Sequence, residues 1–141
     1  MTEITSIDLF LNKHLNSEHC NEYIRTEAKI LNSFFKNLVR QDFQIVSVFD
    51  GEDTHKIENN CRFTALEAIF AVDSETSVKM VSDKGEAFTL CLILGNGDAT
   101  TIYDHSELSE ELENTIFKTF AASVKTHSQE LYELNWQGYG V

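Results

Sequence analysis

The spacing of apolar residues changes twice along the chain, and this change constrains the fold more than any other feature. Up to about residue 40, apolar residues recur every three to four positions, as they do on one face of a helix. Between about residues 43 and 103 most apolar segments are β-branched and aromatic, and turn signals such as Asp50-Gly51 and Asn96-Gly97 separate them. The exception is the segment over residues 63–72, whose Ala, Leu and Glu residues predict a short helix. Helical spacing returns from Leu108 to Leu134. The pattern predicts helices at both ends and hairpin-linked strands between them.

This order predicts the α+β class. We expect an antiparallel sheet of three to four strands that packs against N-terminal helices and a long C-terminal helix. In a single domain of residues 1–141, the predicted parts are helical over 1–41, mainly strands over 42–104 and a C-terminal helix over 105–136, followed by a tail over 137–141. The length of 141 residues is typical of one domain.

Three of these elements carry further expectations. The helix that ends near Arg40 has a wide apolar stripe, which predicts burial on more than one side. The strand that begins at Ala87 is apolar almost throughout, which predicts cover on both of its faces and a buried, inert Cys91. We expect Asp104 or Ser106 to begin the last helix, because Asp104 and Glu107 have the spacing of a capping box.

Charge and cysteine content restrict the environment and the partners. Eleven basic and 23 acidic side chains give a net charge of −12. A binder of the nucleic-acid backbone needs a cationic surface, so we expect no direct nucleic-acid binding. The odd set of Cys20, Cys61 and Cys91, with acids at the start of the chain instead of a signal peptide, predicts a reduced cytoplasmic protein. No apolar run is long enough for a membrane span, so no membrane association is expected.

Chemical motifs are scarce. The chain has no Gly-x-Ser-x-Gly nucleophile motif and no phosphate-binding P-loop. His14 and His19 lie five positions apart, which is off the spacing that places two metal ligands on one helical face. We therefore predict no catalytic residue, no metal and no cofactor.

Three segments resemble small proteins of unknown function that bacteriophages and prophages encode. They are Ala65-Leu-Glu-Ala-Ile-Phe-Ala-Val-Asp73, Leu92-Ile-Leu-Gly-Asn-Gly-Asp98 and Ile102-Tyr-Asp-His-Ser106. The resemblance covers about residues 63–120, and this chain departs from it with His105 where a tyrosine is expected. It implies an origin in a mobile element and brings no activity with it.

The densest acidic segment runs from Asp104 to Glu113. Residues 51–141 hold six bases and 16 acids, so most of the negative charge lies in this part of the chain. Acids in the first turn of a helix are favoured by the helix dipole, which is one explanation for the segment. The other is a negative surface that attracts a basic partner. The residues predicted for such partner binding are Asp98, Asp104, Glu107, Glu110, Glu111 and Glu113.

The functional prediction is a non-enzymatic acidic binding protein. It would be an inhibitor or adaptor that acts on a host protein with a basic or nucleic-acid-binding surface. One alternative is a homo-oligomeric accessory protein that pairs through the wide apolar stripe over residues 23–39. The other is a ligand-binding protein or enzyme with a pocket near Asp104 and His105.

Overall fold

The computed structural model describes residues 6–15, 22–72, 75–93, 100–104 and 109–134, with the backbone alone for 93 and 100–104. In chain order the elements are α1 (Ile7–His14), α2 (Glu22–Arg40), β1 (Gln44–Phe49), β2 (Thr54–Lys56), α3 (Arg62–Phe70), β3 (Thr76–Val81), β4 (Ala87–Ile93), β5 (Thr100–Asp104), α4 (Glu110–Thr126) and α5 (Ser128–Glu133). None of the helices in these ranges combines the length and the apolar composition that crossing a bilayer requires.

The strands form one antiparallel sheet in the order β2-β1-β3-β4-β5, which confirms the predicted α+β class. The sheet has five strands where three to four were predicted, and four of them have five to seven residues. The fifth, β2, has three residues. It pairs with β1 because the turn at Asp50 and Gly51 reverses the chain there, and Gly51 takes the positive φ of 105°.

Helix α2 lies at the centre of the molecule. It contacts α1, α3, α4 and β1, and Phe34, Phe35 and Leu38 on it are fully buried. Phe34 meets Phe120 of α4 edge to face, with ring centroids 5.1 Å apart. The prediction that this helix is buried on more than one side is therefore confirmed. The apolar stripe is covered by other elements of the same chain, so it needs no second copy to leave water.

The prediction that the strand beginning at Ala87 is covered on both faces was wrong. Along β4, Phe88, Leu90 and Leu92 are buried, whereas Thr89 and Cys91 between them are partly exposed. Successive side chains of a strand point to opposite faces, so one face of β4 is buried and the other is only partly covered. Cys91 is therefore not the fully buried core residue that the apolar run predicted.

The predicted start of the last helix was also wrong. Asp104 is the final residue of β5 and pairs with Thr89 of β4, so it belongs to the sheet. Ser109 caps α4 instead, and its Oγ accepts a hydrogen bond from the Leu112 amide at 3.2 Å. The predicted continuous helix is interrupted at His127, whose φ of −111° and ψ of 21° are not helical, and α5 follows.

Candidate functional site

Three segments that are distant in the sequence meet and form a groove of about 180 Å³. They are the connection from α2 to β1, the turn between β3 and β4, and the first turn of α4. We call this the acidic groove. Its lining residues are Gln41, Phe43, Ser82, Asp83, Lys84, Glu86, Ser109, Glu111, Leu112 and Thr115.

Gln41 and Phe43, in the connection between α2 and β1, form the floor of the acidic groove. Gln41 donates to the Thr119 hydroxyl of α4 at 3.0 Å and to the Asn37 carbonyl oxygen at 3.1 Å. Phe43 is buried and packs edge to face on Phe88 of β4, with ring centroids 5.8 Å apart. These contacts join α2, α4 and the sheet, so the groove lies on well-packed elements.

One wall of the acidic groove is the turn between β3 and β4. The buried Ser82 Oγ accepts hydrogen bonds from the amides of Lys84 and Glu86 at 3.2 and 3.1 Å. The Gly85 amide donates to the Ser82 carbonyl oxygen at 3.0 Å, and its φ of +81° is in the region that glycine adopts without strain. The turn holds Asp83 exposed and Glu86 partly exposed at the groove.

The other wall is the first turn of α4. Ser109 links the two walls, because its Oγ lies 3.4 Å from Glu86 Oε2. Glu110, Glu111 and Glu113 occupy this turn, where the positive end of the helix dipole stabilises carboxylates. Of these three, Glu111 lines the acidic groove. Asp83, Glu86 and Glu111 against the single Lys84 make the groove lining negative.

The sequence-predicted site residues fall into three groups. Glu110, Glu111 and Glu113 lie together at the start of α4. Asp104 ends β5 in the sheet, and its side chain is outside the described residues, as are Asp98, Glu107 and the His105 of the alternative pocket.

The sequence reasoning missed Glu86. The Asp83-Lys-Gly-Glu86 turn signal marked its place in a hairpin, but its nearness to Ser109 depends on tertiary packing.

A second polar cluster lies where α4 and α5 meet α2. Ser33 Oγ is 3.3 Å from His127 Nε2, and His127 Nδ1 is 2.9 Å from Glu130 Oε1. Lys29 Nζ contacts the other carboxylate oxygen, Glu130 Oε2, at 3.0 Å. Burial raises the pKa of Glu130, but the hydrogen bonds from His127 and Lys29 outweigh it and hold the pKa below its ordinary value.

The order of serine, histidine and carboxylate in this cluster is that of a hydrolase triad. The acidic groove does not reach these residues, and Lys29 occupies the remaining oxygen of Glu130. The cluster instead fixes the helix break at His127 to α2, and we assign it a structural role. Within the described ranges, no group of three or more His, Cys, Asp or Glu side chains is placed to hold a metal ion.

The chain matches no protein-family model, no curated protein and no solved structure. The resemblance to phage-encoded proteins therefore stays a prediction.

Proposed function

We propose that this is a non-enzymatic binding protein whose acidic groove receives a basic segment of a partner protein. One observation carries the proposal: Asp83 and Glu86 on the turn between β3 and β4, and Glu111 on the distant helix α4, line the same groove. A lysine or arginine side chain of a partner would lie between the carboxylates of the two walls. Its N–H groups would then donate charge-assisted hydrogen bonds to carboxylates on both sides.

The charge of the whole chain supports the same partner class. A net charge of −12 attracts a basic protein over distances of about a Debye length, roughly 8 Å at physiological salt. Such steering raises the association rate more than it raises the affinity. We propose a partner whose basic surface normally accepts nucleic acid, in the cytoplasm, with this protein as its inhibitor or adaptor.

Charge reversal in the groove tests the proposal. The double variant Asp83→Lys/Glu111→Lys changes the groove lining, and Glu52→Lys/Glu133→Lys makes the same change in net charge at exposed positions elsewhere. An arginine-rich peptide serves as the probe, and fluorescence anisotropy gives its affinity at low and at moderate salt. We expect the groove variant to lose at least about tenfold in affinity and the control to stay close to the unmodified protein.

Retention of proteins from a host lysate extends the test to natural partners. A basic protein that the unmodified chain and the control retain, but the groove variant does not, supports the proposal. Equal peptide affinity of the groove variant and the control contradicts it, because net charge alone would then explain the binding.

A further inference from the structure

Helix α2 has the opposite charge to the rest of the molecule. It carries four basic and two acidic side chains, in a chain with a net charge of −12. Two of the bases have partners inside the molecule: Arg25 donates to the Leu15 carbonyl oxygen at 2.9 Å, and Lys29 contacts the Glu130 carboxylate at 3.0 Å. The remaining two, Lys36 and Arg40, are exposed.

Lys36 and Arg40 share a face of α2 with Asn32. The three residues are spaced four apart, and residues with this spacing lie one above the other along a helix. This places both basic side chains on the side of α2 at which Asn32 meets α3.

Arg62, the first residue of α3, reaches the same face. Its Nε donates to Asn32 Oδ1 at 2.8 Å, and its guanidinium carbon lies 4.6 Å from the centre of the Phe63 ring. These two contacts hold the guanidinium in place while using one of its five N–H donors. Among the described residues, none accepts a hydrogen bond from its two terminal nitrogens, so these donors face no acceptor within that part of the chain. We call Lys36, Arg40 and Arg62 the basic corner.

The positive charges of the basic corner are not neutralised by the part of the chain that the structure describes. No carboxylate in the described ranges lies within 4.0 Å of the basic nitrogens of these three residues. Burial of the guanidinium and the charge of Arg40 lower the pKa of Arg62, with the Cys61 thiol acting in the opposite direction. Arg62 thus lies against the face of α2 that also carries Lys36 and Arg40, and an anion bound there would offset the repulsion among these like charges.

We propose that the basic corner is a binding site for a compact divalent oxyanion, the phosphate of a phosphomonoester. Arginine guanidinium groups match the geometry of phosphate oxygens and bind them with paired hydrogen bonds. The ligand is a single phosphate group because an extended polyanion would also meet the negative surface of the remaining chain. The site shares no residue with the acidic groove and does not depend on the proposed function.

The test titrates the ¹⁵N-labelled protein with inorganic phosphate and, separately, with a phosphoserine peptide. Sodium chloride at matched ionic strength is the blank. The Arg62 Nε–Hε signal reports on the site by NMR. We expect a saturable shift with both phosphate probes. A tighter complex with the peptide assigns the site to a phosphorylated protein segment, and a tighter complex with free phosphate assigns it to the small ion.

Substitutions distinguish phosphate binding at the basic corner from non-specific attraction of phosphate to any positive side chain. Arg40→Gln removes an exposed guanidinium without touching the Asn32 contact, and Lys118→Gln removes one charge from the exposed surface of α4 as the control. We expect Arg40→Gln to weaken phosphate binding by about tenfold or more, and Lys118→Gln to leave it nearly unchanged. Arg62→Lys keeps the charge but loses the paired donors, so it also weakens binding.

Three results would overturn the proposal. The first is a chloride titration that reproduces the shifts at the same ionic strength. The second is an equal loss of affinity in Arg40→Gln and Lys118→Gln. The third is the absence of any saturable shift at Arg62 in a protein whose circular dichroism spectrum shows it to be folded.

Discussion

At the scale of single residues, Glu130 shows how burial and hydrogen bonding oppose each other. Its carboxylate accepts from Lys29 and His127, and the pKa is below the ordinary value of 4.5. A carboxyl whose pKa is lower in the folded state adds stability above its unfolded-state pKa, and this stability is lost as the pH falls through the folded-state value.

We therefore expect Glu130→Gln to lower the free energy of unfolding at pH 7 by about 1 kcal/mol, a figure that allows for its one-third exposure. The difference from the unmodified protein should shrink as the pH falls below 4.5, because Glu130 becomes protonated. Urea unfolding at several pH values measures it, with Glu133→Gln as a neighbouring exposed control. A difference that grows towards low pH would contradict the expected sign.

Asp50 gives a second prediction at this scale. Its carboxylate accepts from the amides of Asp53 and Glu52 at 2.8 and 2.9 Å and contacts His55 Nε2 at 2.7 Å. These contacts lower the pKa of Asp50 to about 2, with the Asp53 amide contributing most. An NMR titration should find this midpoint, and His55→Ala should raise it to a value still below 3.8, because the two amide donors remain. An unchanged pKa in that variant would exclude a contribution from His55.

At the scale of secondary-structure elements, the cap of α4 is decisive for the acidic groove. Ser109 binds the Leu112 amide and lies beside Glu86, so it both starts the helix and positions one wall. We expect Ser109→Ala to cost about 1 kcal/mol in unfolding free energy, and Ser109→Asp, which keeps an acceptor, to cost less. Thermal or urea unfolding measures both. If Ser106→Ala were costly and Ser109→Ala neutral, the helix would begin at Ser106, one of the two starts that the sequence predicted.

At the scale of the whole molecule, the packing of α2 joins the sheet layer to the C-terminal helices. Phe34 is fully buried between Phe35 and Phe120, so Phe34→Ala opens a cavity that neighbouring residues fill only partly. We expect a loss of about 3–5 kcal/mol in unfolding free energy. Phe49→Ala, at a side chain that is 43% exposed, should cost within about 1 kcal/mol. Similar losses in the two variants would mean that α2 is not the centre of the core.

The same packing bears on the homo-oligomer alternative. The wide apolar stripe on α2 was the sequence feature that pointed to a second copy of the chain. In the structure α1, α3, α4 and β1 cover this helix. An oligomer would need another surface, and the wide stripe no longer argues for one.

Local pattern was sufficient for the fold class and for most element types. Helical spacing of apolar residues, β-branched runs and the Gly- and Asn-containing turns each act within a few residues, so the sequence alone determined an antiparallel sheet with helices at both ends. The net charge of −12 is likewise a property of composition.

Only the tertiary structure decided which surfaces these elements share. The apolar run around Cys91 could not show that one face of β4 lacks full cover, because burial depends on what packs above each face. Asp104 and Glu107 have the spacing of a helix capping box, but Asp104 pairs with Thr89 of β4 and is therefore part of the sheet. Contacts between distant segments place the Asp83–Glu86 turn beside Glu111, and they place Arg62 beside Asn32 on the helix that carries Arg40. Long-range packing, which no local spacing encodes, therefore created both candidate sites.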